Sequence, residues 1–171
     1  MFDLFKFLGL KEDCVNKDSL SSDSQQQEFL NLKKRLENSD FYCGVEIRKT
    51  KYDEPVLFYK SSGYESNYDV VMLFLSVVRE DGFQRFQINL IFDEDEMKVA
   101  DIQVLGEENF NKGYGSLLLK EAIEYAKKRG AKRITGDIVS ENDEHYARQI
   151  AFYTKNGLKI LDDKRSFEML L

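Results

Sequence analysis

The sequence predicts an α/β (mixed α+β) fold, a mostly antiparallel sheet with one central parallel strand pair and helices on its flanks. Three observations carry that expectation. From Phe41 to Leu105 the apolar residues recur with a period of two, in runs separated by turn residues. From Val99 to Val139 the chain reads strand, glycine loop, amphipathic helix, strand, which is a right-handed crossover between parallel neighbours. A second helix and two short apolar runs then close the chain.

At 171 residues with 42% hydrophobic content, the chain has material for one well-filled core. Residues 1–40 read as an N-terminal helical segment and 41–171 as the main domain, the two forming a single globular unit. The opening run Met1–Leu10 is apolar but contains Asp3 and lacks a basic region. It is too short to cross a bilayer and unlike a signal peptide, so it is expected to pack on the domain or on a partner chain.

Ser21 to Gln27 is polar, with Ser22 and Gln25 in capping-box spacing, and Asp23–Asn38 reads as a helix with Phe29, Leu32 and Leu36 inward. Strands are expected at Phe41–Lys49, Pro55–Lys60, Asp69–Val78, Gln84–Phe92 and Met97–Leu105, with turns at Asp81-Gly82 and Asp93–Glu96. The single proline, Pro55, stands at a strand start, where its missing donor is tolerated. The crossover helix carries Leu118, Leu119, Ala122, Ile123 and Ala126 on one stripe, and Gly130 is placed to end it. Ala131–Val139 reads as a short buried strand. Asn142–Asn156 reads as a helix with Tyr146, Ile150 and Tyr153 along one face, ended by Gly157. Leu158–Leu161 and Ser166–Leu171 are the closing strands, around a turn at Asp162-Asp163-Lys164.

The segment Asn109–Leu119 carries the functional signal. A strand that ends in a glycine turn and feeds a helix leaves backbone N–H groups unpaired, and the helix dipole adds to them. Such a turn suits phosphate, and glycine lets a pyrophosphate lie against the backbone. Gly113 and Gly115 do not complete a dinucleotide fingerprint, since Leu118 stands at the third glycine position, and no Gly-Lys-Ser/Thr is present. A plain helix start without ligand is the alternative for the loop alone.

Phe110 to Leu118, followed by Phe152-Tyr153-Thr154-Lys155-Asn156-Gly157-Leu158, resembles the GCN5-related N-acetyltransferases (GNAT). That family carries Gln/Arg-x-x-Gly-x-Gly/Ala at its acyl-coenzyme A loop and Tyr-x-x-x-Gly-Phe some forty residues on. Gly113 and Gly115 match the first element, and Tyr153 with Gly157 matches the second; the resemblance covers about Val99 to Ile160. Phe110 stands at the Gln/Arg position and Leu158 at the Phe, with Asn111 and Lys112 as neighbouring donors. The resemblance implies that the phosphates lie on Phe110, Asn111, Lys112, Gly113, Tyr114, Gly115 and Ser116. It further implies that backbone groups of Val104 and Leu105 hold the pantetheine arm, with Asn142 and Tyr153 completing the acetyl-CoA site. Tyr153 would be the acid at the sulfur and Asp101, on the strand leading into the loop, the base; Glu107, Glu108 and Glu141 are further carboxylates near the same rim. His145, the only histidine, reads as a surface residue.

Charge is unevenly placed. Residues 1–105 hold 13 basic and 20 acidic side chains, net −7, whereas residues 106–171 hold 12 and 11, net +1. The balance argues against nucleic acid as partner and favours a cationic amine acceptor. Cys14 and Cys43 have no metal-ligand spacing and read as reduced thiols of a cytoplasmic protein, without membrane attachment and without a metal. The expectation is thus a monomeric or homodimeric acetyltransferase moving an acetyl group from acetyl-CoA to a primary amine of a small molecule or protein. A non-catalytic acyl-CoA-binding sensor or interaction domain is the alternative, and a phosphate-ligand protein of similar topology a third.

Overall fold

The computed structural model describes residues 23–62, 69–79 and 82–171. In chain order they form α1 (Asp23–Glu37), β1 (Tyr42–Lys49), β2 (Pro55–Ser61), β3 (Asp69–Arg79), β4 (Gly82–Asp93) and β5 (Glu96–Gln103). A 3-10 turn (Glu107–Asn109) leads to α2 (Tyr114–Arg129), β6 (Arg133–Asp137), α3 (Asp143–Lys155), β7 (Lys159–Ile160) and β8 (Ser166–Leu170). The strands make one sheet in the order β1-β2-β3-β4-β5-β6-β8-β7. β5 and β6 run parallel and the other neighbours antiparallel, as the sequence pattern predicts. Met1–Leu10, Cys14, Ser22 of the capping spacing and Asp81 of the Asp81-Gly82 turn lie outside the described residues.

The sheet is covered on both faces. In β2, Val56 and Phe58 join the larger core while Leu57 and Tyr59 join the smaller, which is why this strand is apolar without interruption. The smaller core is closed by α1, whose Phe29, Leu32 and Leu36 recur at helical spacing and pack with Leu57, Tyr59, Phe74 and Val78. The larger core is closed by α2 through Leu118, Leu119, Ala122 and Ala126, and includes Tyr153 of α3 and Phe167 of β8. Gly130 ends α2 in the left-handed conformation at φ 81°. Among the described residues no helix is long and apolar enough to cross a membrane.

Both strands of the central pair end short of their apolar runs, and the reason decides where the site lies. β6 covers Arg133–Asp137 rather than Ala131–Val139, and β5 ends at Gln103 rather than Leu105. The parallel ladder joins only Glu96–Val99 to Arg133–Gly136. Within β5, Val99 pairs with Leu90 and Asp101 with Asn89, so Ala100 is an extra residue. Such a bulge bends the strand and raises its twist. It also resets the alternation: Met97 and Val99 are buried, Ala100 is exposed, and Ile102 and Val104 pack on the core. Unbroken alternation from Met97 and Val99 would have put Asp101 and Gln103 on the inner face. On the other side, Ile138 N–H donates to the Arg165 carbonyl at 2.7 Å, holding the end of β6 to the β8 side. The central pair therefore parts after one short ladder.

Gly136 in β6 lies directly across from Phe167 in β8, and a Cβ there would collide with Cζ of that ring. Phe167 is fully buried and stacks on Tyr153 with centroids 3.9 Å apart. Gly136→Ala is expected to destabilise the fold by about 1–3 kcal/mol through overpacking, lowering the calorimetric melting temperature by several degrees. An unchanged melting temperature would contradict this packing.

Candidate active site

Where β5 and β6 part, a cleft of about 600 Å³ opens. Asp101 to Leu105 line it from β5, Asn109 to Asn111 and Gly113 to Ser116 from the loop and first turn of α2, and His145, Arg148, Gln149, Phe152, Tyr153 and Lys155 from α3. Beyond Val99 the β6-facing edge of β5 has no ladder partner, so its backbone groups are available to an extended ligand.

The loop is built for an anion at its backbone. Gly113 precedes α2 at φ 94°, ψ 2°, a conformation glycine adopts without strain, and no side chain caps the helix. The first-turn N–H groups are thus left for a ligand, with the positive end of the helix dipole behind them. Gly115 has a different reason. A Cβ there would meet Phe152 at 3.1 Å and Val104 at 3.7 Å, so its smallness lets α3 and β5 pack close to the loop. A Cβ at Gly113 would meet Lys51 Cγ at 3.1 Å.

Tyr114, between the two glycines, turns its ring into the core and stacks on Phe86 at 4.5 Å. Its hydroxyl donates to Glu54 Oε2 and accepts from Arg79 Nη2, while Arg79 Nη1 donates to Glu54 Oε1, each at 2.5 Å. This closed ring of three fastens the loop to the end of β3 and the entry of β2. Burial first, then the Glu54 hydrogen bond, raises the Tyr114 phenol above the ordinary tyrosine value, so it remains a donor.

At the other end Tyr153 is 7% exposed, held by Phe167 and by the edge of Phe152 at 5.2 Å. Its hydroxyl makes no hydrogen bond to another described residue, although the residue lines the cleft. Burial, then the negative charge of Asp101, pushes its pKa up to about 12. Asp101 is exposed, lines the same cleft, and accepts from Gln103 Nε2 at 2.5 Å.

Of the residues singled out from the sequence, Asp101, Val104, Leu105, Phe110, Asn111, Gly113, Tyr114, Gly115, Ser116 and Tyr153 line the cleft, whereas Lys112 and Asn142 do not. Asn142 instead caps α3, its Oδ1 accepting from His145 N–H at 2.8 Å. The Leu105 carbonyl already accepts from Asn109 Nδ2 at 2.6 Å. Glu107, Glu108 and Glu141 are exposed and stand outside the cleft. His145 is half-buried in the cleft wall rather than on the open surface, with Nε2 3.1 Å from Gln149 Nε2.

Sequence reasoning passed over Asn109, Arg148, Gln149 and Lys155. Gln149 Nε2 donates to the Val139 carbonyl at 2.8 Å, which fixes the amide and leaves Oε1 buried without a partner. Asn109 is 1% exposed, and its Oδ1 is likewise unpartnered. Both oxygens are shut off from solvent, so among the described residues they stand as unpartnered acceptors behind the cleft wall. The recurrence of His145, Gln149 and Phe152 ahead of Tyr153 at helical spacing was the available signal. Among the described residues no three His, Cys, Asp or Glu side chains are grouped to hold a metal.

A mixed sheet parted at its parallel pair, with an uncapped helix start beside the opening, is the frame of the candidate site. Residues 78–158 match the model of the acetyltransferase (GNAT) family. No curated protein sequence matches the chain. Among solved structures, the PaiA N-acetyltransferase from Thermoplasma acidophilum in complex with coenzyme A is 24% identical over 58% of this chain and 61% of its own, with a TM-score of 0.46. An acetyltransferase from Bacillus cereus ATCC 14579 is 24% identical over 60% and 74%, with a TM-score of 0.45. Nourseothricin acetyltransferase is 17% identical over 80% and 91%, with a TM-score of 0.49. The chain thus spans less than two thirds of the first of these.

Tyr114→Phe keeps the ring stack and the Glu54–Arg79 pair but deletes two hydrogen bonds, and should lower stability by about 1–3 kcal/mol. The raised phenol adds stability that is complete below the unfolded tyrosine value of about 10 and is lost as pH rises through the folded value. Melting temperatures between about pH 8 and 11 should therefore fall more steeply for wild type than for Tyr114→Phe. Parallel curves would remove the titrating phenol from the account.

Proposed function

We propose that this chain transfers an acetyl group from acetyl-CoA to a primary amine, of a small molecule or a protein, in the cleft lined by the end of β5, the loop before α2, and α3. The observation that carries the proposal is the Tyr153 hydroxyl, unpaired on a buried ring, in the same cleft as the uncapped start of α2. The unladdered edge of β5 supports the fit to a pantetheine arm. The acidic first half of the chain favours a cationic acceptor.

The chemistry follows from the groups present. The acceptor's nitrogen, as free amine, attacks the thioester carbonyl carbon, the C–S bond breaks, and an amide and a thiolate result. One proton leaves the nitrogen, with Asp101 as the base, directly or through water. Tyr153 faces the sulfur as an O–H donor. With its pKa at about 12, handing the proton to a thiolate of ordinary pKa, ~8.5, is uphill by about 5 kcal/mol. The phenol therefore acts chiefly by a charge-assisted hydrogen bond to the departing sulfur, and much of the rate comes from positioning.

Acetyl-CoA at a hundred times its dissociation constant should stabilise the protein by about 2.7 kcal/mol, raising the melting temperature by roughly 5–10 °C. No shift at millimolar coenzyme A would remove the proposal. A shift without acetyl transfer to any member of an amine panel would assign the cleft to a binding module.

Tyr153→Phe retains the stack on Phe167, so the fold should survive while turnover falls about 10–100-fold, the loss of one hydrogen bond to an anion. Because the phenol holds its proton to about 12, wild-type turnover should show no alkaline decline through about pH 10. Wild-type turnover in a stably folded Tyr153→Phe protein would end its role at the sulfur.

A further inference from the structure

Phe110 occupies the loop position at which the family carries Gln or Arg, and its ring offers no donor to a phosphate. The structure places a cation there from elsewhere. The Arg148 guanidinium, on α3, lies 5.1 Å from the centroid of the Phe110 ring, and both residues line the cleft. Lys112, the loop's own cation, does not line it, so Arg148 and Lys155 are the permanently positive side chains of the lining. Arg148 is the one that meets the loop.

The chemistry suits that post. An aromatic face holds a guanidinium flat and limits its rotamers, and the planar fork matches two phosphate oxygens at once. Arg148 has one ion-pair partner among the described residues, Glu144 Oε1 at 3.5 Å, and the Glu144 side chain is 84% exposed. So open a pair is weak and readily exchanged for a doubly charged ligand. We propose that Arg148, seated on the Phe110 ring, binds the pyrophosphate of coenzyme A and supplies from α3 the side-chain contact that the loop lacks. This rests on the acetyl-CoA assignment above and adds a ligand-binding residue to it.

Calorimetric titration of the full chain with coenzyme A, 3′-dephospho-coenzyme A and pantetheine tests the assignment. Arg148→Ala should bind the first two about 10–100-fold more weakly than wild type, the loss of one charge-assisted hydrogen-bonding group, and pantetheine equally well. Introducing Phe110→Arg into Arg148→Ala should restore at least about tenfold, because the loop then carries its own cation. Unchanged affinity for coenzyme A overturns the proposal while leaving the acetyltransferase assignment intact. An equal loss on pantetheine overturns it in favour of a packing role, and a loss confined to coenzyme A moves the contact to the 3′-phosphate. If Arg148→Ala does not fold, Arg148→Gln, which keeps the stem over the ring, is read by the same criteria. Failure of the wild-type protein to bind coenzyme A overturns both assignments.

Discussion

Strands β5 and β6 are bonded over only four residues, Glu96–Val99 against Arg133–Gly136, and the site depends on that short ladder. A longer one would close the sheet and leave no unpaired backbone to receive a ligand. A shorter one would free the crossover helix α2 from the geometry that aims its N-terminus at the gap. The two strands are parted by different means. β5 is bent by the extra residue Ala100 while staying paired to β4 through Gln103, whereas β6 is held toward β8 by the Ile138–Arg165 bond. The opening is therefore a property of the sheet itself, present before any ligand arrives.

Each end of the opening is braced from a different part of the chain. The loop end is tied down by the Glu54–Arg79–Tyr114 ring, which brings the entry of β2 and the end of β3 to the first turn of α2. A helix start that offers backbone donors to an anion gains little if it can swing, and a half-buried ring of three mutual hydrogen bonds resists swinging because breaking it leaves a partly desolvated charge without its partner. The sulfur end is braced by packing. Gly136 admits Phe167, Phe167 carries Tyr153, and the hydroxyl of Tyr153 is left over for the cleft.

The strand runs, both later helices and the parallel pair were legible because each writes a period of two or 3.6 into the apolar residues. Gly113 with Tyr153 and Gly157 was legible as a motif. The bulge at Ala100 was not read, although the apolar phase shifts there from Met97 and Val99 to Ile102 and Val104, because a residue as small as alanine fits either face. Asn142 was assigned to the ligand where it caps α3, because a polar residue before a helix serves either role and its sequence does not say which. Lys112 adjoins the glycine in sequence but stands outside the cleft, while Arg148 lies far off in sequence and inside it. Proximity along the chain is a poor guide once a helix returns across the site. The hydroxyl of Tyr114 illustrates the same point, since its partners Glu54 and Arg79 come from two separate strand ends.

The two ends of the cleft place unequal demands on sequence. At the loop, most of the donors are backbone N–H groups, so the side chain at Phe110 can change type without dismantling the cradle, and a cation from α3 can stand above it. At the end proposed for the sulfur, one hydroxyl is carried on a buried ring, and its position depends on a chain of contacts in which the smallest member, Gly136, leaves no free space for a Cβ. Asp101 adds an electrostatic constraint, because its charge and the burial together keep the phenol protonated. A more exposed tyrosine would be the stronger acid but would share its hydrogen bond with water. Burial trades acidity for direction, and in the proposed transfer, where the leaving group is already a good thiolate, direction contributes more.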